Sequence, residues 1–419
     1  MRSARVWKRL LGVEHTVVEQ VVFDEEAGAL VAMVRPTRSR RCRCPLCGRR
    51  CPGYDQGQGR RRWRALDLGT IPALLEADAP RIACAAHGVL VAAVPWARHG
   101  AGFTRGFEDT VAWLAVHTSR AAVAELLRLA WRTVGRVCAR VAVERATKVD
   151  LLAGLRRIGI DEVSYKRGQR YLVVVVDHDS GRLVWAAPEA NEQSLERFFD
   201  ALGPQRCDHI ELVSADAAGW IANVLARRCP AAVRCADPFH VVRWASDALD
   251  EVRRQVWNDA RRAGDTAAAR EVKGARFALW KNPEDLTRRQ RGKLARIAEV
   301  NRRLYRAYLL KEELRLVFKV RGVRGVALLD AWLSWARRCR IPTFVRVARA
   351  VSAHRQTIVA SLLHGLSNAR VESVNTRLRL LTRVAFGFRS PQALIGLAML
   401  ALGGLCPELP GRAQPDPQT

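Results

Sequence analysis

The segment that most constrains the fold is an apolar stretch that carries a carboxylate, with a second apolar run close behind it. The first reads Arg157-Ile-Gly-Ile-Asp-Glu-Val-Ser-Tyr165, and the second reads Tyr171-Leu-Val-Val-Val-Val176. Both have the length and the β-branched content of buried strands. A buried carboxylate is costly to desolvate unless it is paired or bound to a metal. Asp161 therefore predicts a site built at a strand end.

Three later segments carry the side chains that could complete this site. They are Val213-Ser-Ala-Asp216, Cys235-Ala-Asp237-Pro-Phe-His240 and Ser367-Asn-Ala-Arg-Val-Glu372. The apolar patterns from Leu155 onward predict strands at 157–165, 171–177, 183–187, 210–214 and 232–235, with helices at 192–202 and 221–228. This β-β-β-α-β-α-β order is that of an RNase H-like fold. In that fold the first and fourth strands are neighbours, which would bring Asp161 and Asp216 together.

The charge balance points to a polyanionic partner. The chain has 70 Lys and Arg against 41 Asp and Glu, a net charge of +29. Such an excess favours association with nucleic acid, and Arg in particular suits phosphate and guanine. Together with the acidic segments, it predicts a metal-dependent phosphoryl-transfer enzyme that acts on DNA.

The sequence shows no export signal and no apolar run of the ~20 residues that span a bilayer. The longest apolar stretch, 393–405, is too short and is interpreted as a packed helix. We therefore expect a cytoplasmic, nucleoid-associated protein without a membrane partner. Its eleven cysteines should be reduced, so that clustered ones indicate a metal site.

One such cluster lies near the amino terminus. Cys44 and Cys47 have the spacing of a zinc knuckle, and Cys84 and His87 form a second pair about forty residues later. Two such pairs supply the four ligands of a closed structural zinc site. The neighbouring Cys42 and Cys51 are bystanders or alternative ligands.

Residues 103–140 predict a helix-turn-helix. Ser119 is the expected N-cap of a short helix over 121–128, and the next helix runs over 131–140. The second helix would enter the major groove of DNA. Its outward candidates are Arg132, Thr133 and Arg136. A small three-helix bundle without DNA binding would show the same periodicity.

The rest of the chain reads as helical. Trp332, Trp335 and Phe344 are interpreted as buried core rather than as a platform for DNA bases. Arg377 and Arg379 follow Glu372 and are predicted to contact DNA. The overall prediction is a multi-domain α+β protein with a zinc-binding domain (1–100), a helix-turn-helix domain (101–150), a catalytic domain in two parts (151–245 and 366–405), a helical insertion (246–365) and a disordered tail (406–419).

The chain resembles the bacterial insertion-sequence transposases of the ISL-three family, over nearly its whole length from the zinc knuckle to about residue 400. The matching segments are Cys44-Pro-Leu-Cys47-Gly, Cys84-Ala-Ala-His87-Gly, Gly159-Ile-Asp161-Glu, Asp237-Pro-Phe-His240-Val, Leu279-Trp-Lys-Asn-Pro-Glu284, Leu366-Ser-Asn-Ala-Arg-Val-Glu372-Ser-Val-Asn375 and Phe386-Gly-Phe388. The second zinc pair departs from the pattern, because it is Cys-His where many relatives look like Cys-Cys. Histidine is an equally good zinc ligand.

The resemblance implies that Asp161, Asp216 and Glu372 form a DDE triad that binds two divalent ions, Mg²⁺ or Mn²⁺, beside a structural Zn²⁺. Asp237 and His240 are accessory ligands or substrate contacts, or Asp237 is the second triad member in place of Asp216. The implied activity is cleavage at the terminal inverted repeats of an insertion sequence and transfer of the freed strand to double-stranded target DNA, which requires at least a dimer on DNA. A catalytically inactive DNA-binding regulator and a nuclease that does not join strands are the alternatives.

Overall fold

A computed structural model describes residues 2–166, 168, 170–216 and 218–412. The chain forms two compact units, and each is described by itself. The first contains Met1–Asp150 and Leu381–Thr419, and the second contains Leu151–Leu380. The division at residue 381 falls within the segment 366–405 that the sequence assigns to the catalytic domain.

The amino-terminal part of the first unit contains one helix and two small sheets, and the strands of the two sheets are interleaved along the chain. Helix α1 (Arg2–Leu10) precedes a four-stranded sheet of order β1-β2-β5-β4 and a three-stranded sheet of order β3-β6-β7. Leu75 and Trp63 of the larger sheet are buried in one hydrophobic core, where the Trp63 ring meets the Trp96 ring edge to face. The strands are β1 (Thr16–Asp24), β2 (Ala29–Pro36), β3 (Gly53–Asp55), β4 (Arg60–Arg64), β5 (Ala73–Asp78), β6 (Arg81–Cys84) and β7 (Gly88–Val91).

Three helices follow as the sequence predicts. They are α2 (Arg105–His117), α3 (Arg120–Leu126) and α4 (Trp131–Ala146). Ser119 caps α3, because its Oγ accepts a hydrogen bond from the backbone N–H of Ala122 at 3.2 Å. This confirms the predicted N-cap, and α4 continues six residues beyond the predicted end at 140.

A buried ion-pair network, which the sequence did not predict, ties these helices to the preceding segment. The Arg98 guanidinium is almost fully buried and pairs with Glu108 and Asp109 of α2 and with Glu144 of α4. Glu108 is fully buried and also pairs with Arg140. Removing one member would leave an uncompensated buried charge, which typically costs about 3–5 kcal/mol.

The second unit begins with a five-stranded sheet of order β10-β9-β8-β11-β12. β8 pairs parallel with β11, and β11 pairs parallel with β12, whereas β9 and β10 are antiparallel. The predicted adjacency of the first and fourth strands is therefore confirmed. The elements are β8 (Arg157–Lys166), β9 (Arg170–Asp177), β10 (Leu183–Pro188), α5 (Glu192–Leu202), α6 (Pro204–Cys207), β11 (Leu212–Ala215), α7 (Gly219–Arg228) and β12 (Val233–Ala236).

Strand alternation divides the side chains of β8 between two faces of the sheet. Ile158 and Ile160 are fully buried in a core with Phe198 of α5 and Ile221 of α7. Residues of β8 that alternate with these isoleucines, including Asp161, therefore lie on the opposite face.

A long helical region follows β12. Its core contains Trp332 and Phe344, both fully buried, and the Trp332 indole N–H donates to the carbonyl of Leu310 at 2.8 Å. The prediction that Trp332, Trp335 and Phe344 belong to the core is confirmed, with Trp335 partly buried. The helices are α8 (Pro238–Arg262), α9 (Thr266–Gly274), α10 (Arg276–Trp280), α11 (Arg288–Val300), α12 (Arg302–Val320), α13 (Gly322–Arg338), α14 (Pro342–Ala353), α15 (Arg355–His364) and α16 (Ala369–Val384).

The last helix, α17 (Pro391–Leu402), packs against α4 within the first unit, where Gly396 lies against the backbone of Ala139. Residues 406–412 continue as coil and turn, with Pro407 buried. Residues 413–419, the remainder of the predicted disordered tail, lie outside the described residues. Within the described chain, no helix combines the length and apolar character that a bilayer crossing requires.

Candidate active site and metal centres

Three aspartates meet near the edge where β11 and β12 end. Asp216 directly follows β11, and Asp237 directly follows β12 and caps the N-terminus of α8. Asp161 does not end its strand, because β8 continues to Lys166. The neighbouring strand β11 ends at this point, because its pairing with β8 stops at Ala215, which lies opposite Ile160. Asp161 is thus next to the point where Asp216 leaves the sheet.

His240 lies between two of these carboxylates. Its Nδ1 is 2.8 Å from Asp237 Oδ2 and 3.0 Å from Asp216 Oδ1. The hydrogen bond with Asp237 raises the pKa of His240, and burial opposes this effect. Asp216, Asp237 and His240 form the tightest group, with ligand atoms within 4.8 Å of one another; Asp161 and Glu372 lie outside it.

Asp237 and Asp216 differ in how much of their side chain is available. Asp237 Oδ1 also accepts the backbone N–H groups of Phe239 and Asn368, each at 3.4 Å. Its side chain is 3% exposed, whereas that of Asp216 is 30% exposed. Asp237 is therefore largely satisfied by the protein, and Asp216 retains free surface.

Glu372 reaches this region on α16, which packs on β8. An added Cβ at Gly159 would lie 2.2 Å from Val371 Cγ2 and 2.7 Å from His178 Nε2, so only glycine allows this approach. One helical turn beyond Val371, the Asn375 side-chain amide donates to Asp161 Oδ2 at 2.7 Å. The 3.6-residue period thus sets Val371 over Gly159 and Asn375 over Asp161.

Arg370 anchors the start of the same helix. Its guanidinium donates to the carbonyl of His178 and, at 3.0 Å, to that of Asp179. Both carbonyls belong to the turn after β9. This contact and the Asn375 bond fix α16 over β8 and set the position of Glu372.

The carboxylates of the site perturb one another. Burial, followed by the charge of Asp216, raises the pKa of Asp161 to about 6. Burial also raises the pKa of Asp216 and of Glu372, and the charge of Asp237 adds to the effect on Glu372. Clustered carboxylates of this kind are hard oxygen donors, the ligand type that Mg²⁺ and Mn²⁺ prefer.

Two asparagines of the site have unused polar atoms. Both amide atoms of Asn368 and Oδ1 of Asn375 are buried and make no hydrogen bond within the described chain. Buried polar atoms without a partner are rare in proteins. They indicate that another polar group completes the site, and the donor set therefore fits a hydrated divalent cation.

Sequence reasoning missed the roles of Gly159, Asn368 and Asn375. All three lie in segments that carry the family resemblance. The spacing of Asn368, Glu372 and Asn375, at i, i+4 and i+7, sets them on one helical face and was the available signal.

The predicted zinc ligands lie together in the first unit. The ligand atoms of Cys44, Cys47, Cys84 and His87 are within 4.8 Å of one another. Cys84 Sγ lies 3.5 Å from His87 Nδ1 and 3.8 Å from Cys47 Sγ. The backbone N–H of Ala86 donates to Cys84 and lowers the pKa of its thiol to about 7. Three thiols and an imidazole fit a tetrahedral Zn²⁺ site.

The predicted DNA-contacting arginines are exposed. On α4, Arg132 and Arg136 are exposed and Thr133 is partly exposed, with Arg136 donating to Thr133 Oγ1 at 3.3 Å. On α16, Arg377 and Arg379 are exposed as well. These positions agree with the outward orientation that the periodicity predicts.

Comparisons with known proteins match three consecutive regions of the chain. A family described as "Transposase" matches residues 158–397. The "Helix-turn-helix domain of transposase family ISL3" matches residues 92–142. The "zinc-finger of transposase IS204/IS1001/IS1096/IS1165" matches residues 40–87. The first region contains the acidic cluster, and the second contains α2, α3 and most of α4. The third contains the Cys-His cluster. The acidic cluster is Asp161, Asp216, Asp237 and Glu372, and the Cys-His cluster is Cys44, Cys47, Cys84 and His87.

The chain therefore belongs to the ISL3 family of DDE transposases, with a zinc ribbon, a helix-turn-helix and a transposase domain. It is 57% identical to the transposase for insertion sequence element IS1557 of Mycobacterium tuberculosis, over 98% of each chain. It is 26% identical to the transposase for insertion sequence element IS1001 of Bordetella parapertussis, over 94% of this chain and 96% of the relative. The chain is a transposase of an insertion sequence, and its helix-turn-helix is a DNA-binding domain.

Proposed function

We propose that this transposase binds the terminal inverted repeats of its element and catalyses metal-dependent DNA cleavage and strand transfer with Asp161, Asp216 and Glu372. The observation that carries the proposal is the packing against one another of the three distant segments that bear these residues. β11 lies beside β8, and α16 packs on the same face of β8 as Asp161. No covalent enzyme intermediate is required.

We further propose an RNase H-like catalytic domain that is made of 151–245 and 366–405 and is interrupted by a helical insertion over 246–365; its sheet and Glu372 lie in the second unit. The strand order β10-β9-β8-β11-β12, with three neighbouring parallel strands, supports this fold. The helices α9–α15 support the insertion. The zinc-binding domain is assigned to 1–100 and the helix-turn-helix domain to 101–150.

Asp161, Asp216 and Glu372 are proposed to hold the divalent ions, Mg²⁺ or Mn²⁺. When bound, the ions supply activation of the attacking oxygen and stabilisation of the leaving oxygen in an in-line displacement. The protein orients the ligands: Asn375 holds one oxygen of Asp161, and Arg370 fixes the helix that carries Glu372. Water serves as nucleophile in cleavage, and the freed 3′ hydroxyl serves in joining.

Asp216 is the better candidate for the second triad member. Its side chain is 30% exposed, whereas Asp237 is enclosed by His240 and two backbone N–H groups. We propose that Asp237 positions His240 and the start of α16. His240 then acts as an accessory group beside Asp216.

Recognition of the element's ends is assigned to the first unit. We propose that Cys44, Cys47, Cys84 and His87 bind a structural Zn²⁺ and that α4 enters the major groove with Arg132, Thr133 and Arg136 towards the bases. Arg377 and Arg379 on α16 are proposed to contact phosphates near Glu372. Because two element ends must be held together, we propose a dimer or a higher oligomer on DNA.

The test uses the purified chain, DNA that carries the ends of its own element, and Mg²⁺. The parent should cut the ends and join them to target DNA, and Glu372→Gln should do neither while binding the ends normally. Glu299→Gln, an exposed carboxylate change on α11, is the matched control and should behave as the parent. Nicks without joined products from the parent would indicate a nuclease. End-specific binding without cleavage in Mg²⁺ or Mn²⁺ would indicate a regulator.

A further inference from the structure

A cleft opens directly beside the acidic cluster within the second unit. Its volume is about 550 Å³, and both Asp237 and Glu372 line it. This volume lies in the ~300–1,000 Å³ range of ligand pockets. Its lining also includes residues from the start of α8, the end of α10, the end of α12 and the end of α15.

Two large aromatic side chains of this cleft are exposed. Phe239 is 58% exposed and Trp280 is 42% exposed. The Arg276 guanidinium lies over the Trp280 ring, 4.1 Å from its centroid, and helps to hold it. The backbone beside the ring is also fixed, because the buried Lys311 ammonium donates to the carbonyl of Leu279 at 3.1 Å. An exposed aromatic ring that is fixed in position provides a surface on which a nucleobase can stack.

Trp280 belongs to the segment Leu279-Trp-Lys-Asn-Pro-Glu284, which carries the family resemblance but has no part in the triad or the zinc site. Asn282 of this segment also lines the cleft. Glu284 receives ion pairs from Arg315 and Lys319, two cations of α12 that also line the cleft. The segment therefore builds one side of the cleft and is fastened to α12.

A cation at this cleft has an unusual backbone. Arg321 alone separates α12 from α13, with φ of 54° and ψ of −177°. This region is essentially restricted to glycine, so a residue with a side chain is strained there. The exposed Arg321 guanidinium makes no ion pair with any described residue, and it lines the cleft together with Lys319. Such strain at a ligand-facing residue is a common feature of functional sites.

We propose that this cleft binds one nucleotide that is unpaired from the duplex next to the phosphate to be cut. The base stacks against Trp280 and Phe239, and the adjoining phosphates lie towards Lys319 and Arg321. Removing a nucleotide from the stack opens the duplex where its backbone must reach the carboxylates. The location of this nucleotide beside the cut rests on the proposed function, whereas the preference for an unpaired nucleotide is measurable without cleavage.

The binding experiment uses the full chain without added Mg²⁺ or Mn²⁺. Duplexes of the element's end, each with one mismatch at a different position near the terminus, are compared with the fully paired duplex. The parent should bind one mismatched duplex about tenfold more tightly than the paired duplex, because a mismatched nucleotide needs less free energy to leave the stack. Trp280→Ala should lose this preference, and Trp280→Phe should retain most of it.

Phe277→Ala is the matched control. Phe277 is 61% exposed on the same short helix but does not line the cleft, so its removal should leave the preference intact. Equal preference in the parent and in Trp280→Ala, or no preferred mismatch in the parent, would overturn the proposal.

A second measurement follows cleavage in Mg²⁺. Trp280→Ala should cut paired ends about tenfold more slowly than the parent and should recover most of that loss on the preferred mismatched end. Equal loss on both substrates would overturn the proposal. If the parent shows the Trp280-dependent preference but does not cut or join DNA, the result contradicts the proposed function and still supports a nucleotide site in the cleft.

Discussion

Asp216 and Asp237 face the same nitrogen of His240 but differ in what they can still bind. Asp237 is enclosed by its protein partners, and its loss would disturb both the cap of α8 and the N–H of Asn368 at the start of α16. Asp216 keeps exposed surface, and among the described residues no backbone N–H is hydrogen-bonded to its Oδ1. At the scale of residues, substitution of Asp237 should therefore mainly lower stability, and substitution of Asp216 should mainly lower catalysis.

Asp216→Asn should lower end cleavage by at least about a hundredfold with little change in stability, since it removes the charge that faces His240 but no hydrogen bond to the backbone of a described residue. Asp237→Asn should lower the free energy of unfolding by about 1–3 kcal/mol through weakened hydrogen bonds. Gel-based cleavage and urea unfolding of both variants test this. Near-normal cleavage by Asp216→Asn, together with a stable but inactive Asp237→Asn, would reverse the two assignments.

His178 is a buried neutral group on the face of the sheet that α16 covers. Its Nε2 lies 2.7 Å from Ser214 Oγ. Burial is the main cause that lowers the pKa of His178 to about 4. Arg370 on α16 and Arg157 on β8 also oppose its protonation, and the neighbouring Asp177 and Asp179 only partly offset them.

This depressed pKa predicts how stability depends on pH. Between pH 6.5 and pH 4 the unfolded chain binds a proton at this histidine and the folded chain does not, so stability falls as the pH is lowered through that window. The full loss is about 3 kcal/mol and is absent above pH 6.5. Urea unfolding of the parent and of His178→Gln at several pH values measures it. The advantage of the parent should shrink as the pH falls, and a constant difference would contradict the explanation.

At the scale of elements, the approach of α16 to β8 determines where Glu372 lies. Gly159→Ala introduces a methyl group where Val371 and His178 leave no room, so α16 must shift. We expect a loss of about 1–3 kcal/mol in the free energy of unfolding and a clear loss of cleavage.

The control for this variant is Gly292→Ala on α11, where an added Cβ meets nothing within 4 Å. It should stabilise the helix by about 1 kcal/mol and leave cleavage unchanged. Stability and cleavage of Gly159→Ala equal to those of the parent would show that the packing of α16 does not position Glu372.

The Cys-His cluster is the second element whose chemistry can be tested separately. The purified chain should contain about one zinc, and Cys84→Ser and His87→Ala should lose most of it. Cys42→Ser and Cys51→Ser should keep it, because neither residue belongs to the four-ligand group. Metal analysis decides this, and less than half a zinc per chain in the intact protein would rule out a structural zinc site.

The strands, helices and helix caps were predictable from the sequence, because each is encoded by residues that are close together in the chain. Strand alternation and apolar runs gave the elements of the five-stranded sheet, and Ser119 gave the start of α3. The bond from Asn375 to Asp161 and the contact of Val371 with the Gly159 backbone could not be predicted. They depend on how segments more than 200 residues apart approach one another. The Arg98 network was missed because it depends on how α2, α4 and the segment before α2 pack together, although its members are at most 46 residues apart.

At the scale of the whole molecule, a net charge of +29 favours association with DNA, and the acidic cluster is a small group of negative charges within that positive chain. Such a positive protein would hold a phosphate backbone strongly whether or not it performs chemistry. Binding alone therefore does not distinguish an active transposase from a regulator. The central claim is that the three carboxylates hold the ions that act on the phosphate.

The measurement that tests this claim most directly is a change of metal preference. Asp161→Cys, Asp216→Cys and Glu372→Cys are assayed for end cleavage with Mg²⁺ and with Mn²⁺. A thiolate is a poor ligand for Mg²⁺ and a better one for Mn²⁺. The account predicts that each variant is inactive with Mg²⁺ and partly active with Mn²⁺. Normal activity of any variant with Mg²⁺, or equal inactivity of all three with both ions, would contradict it.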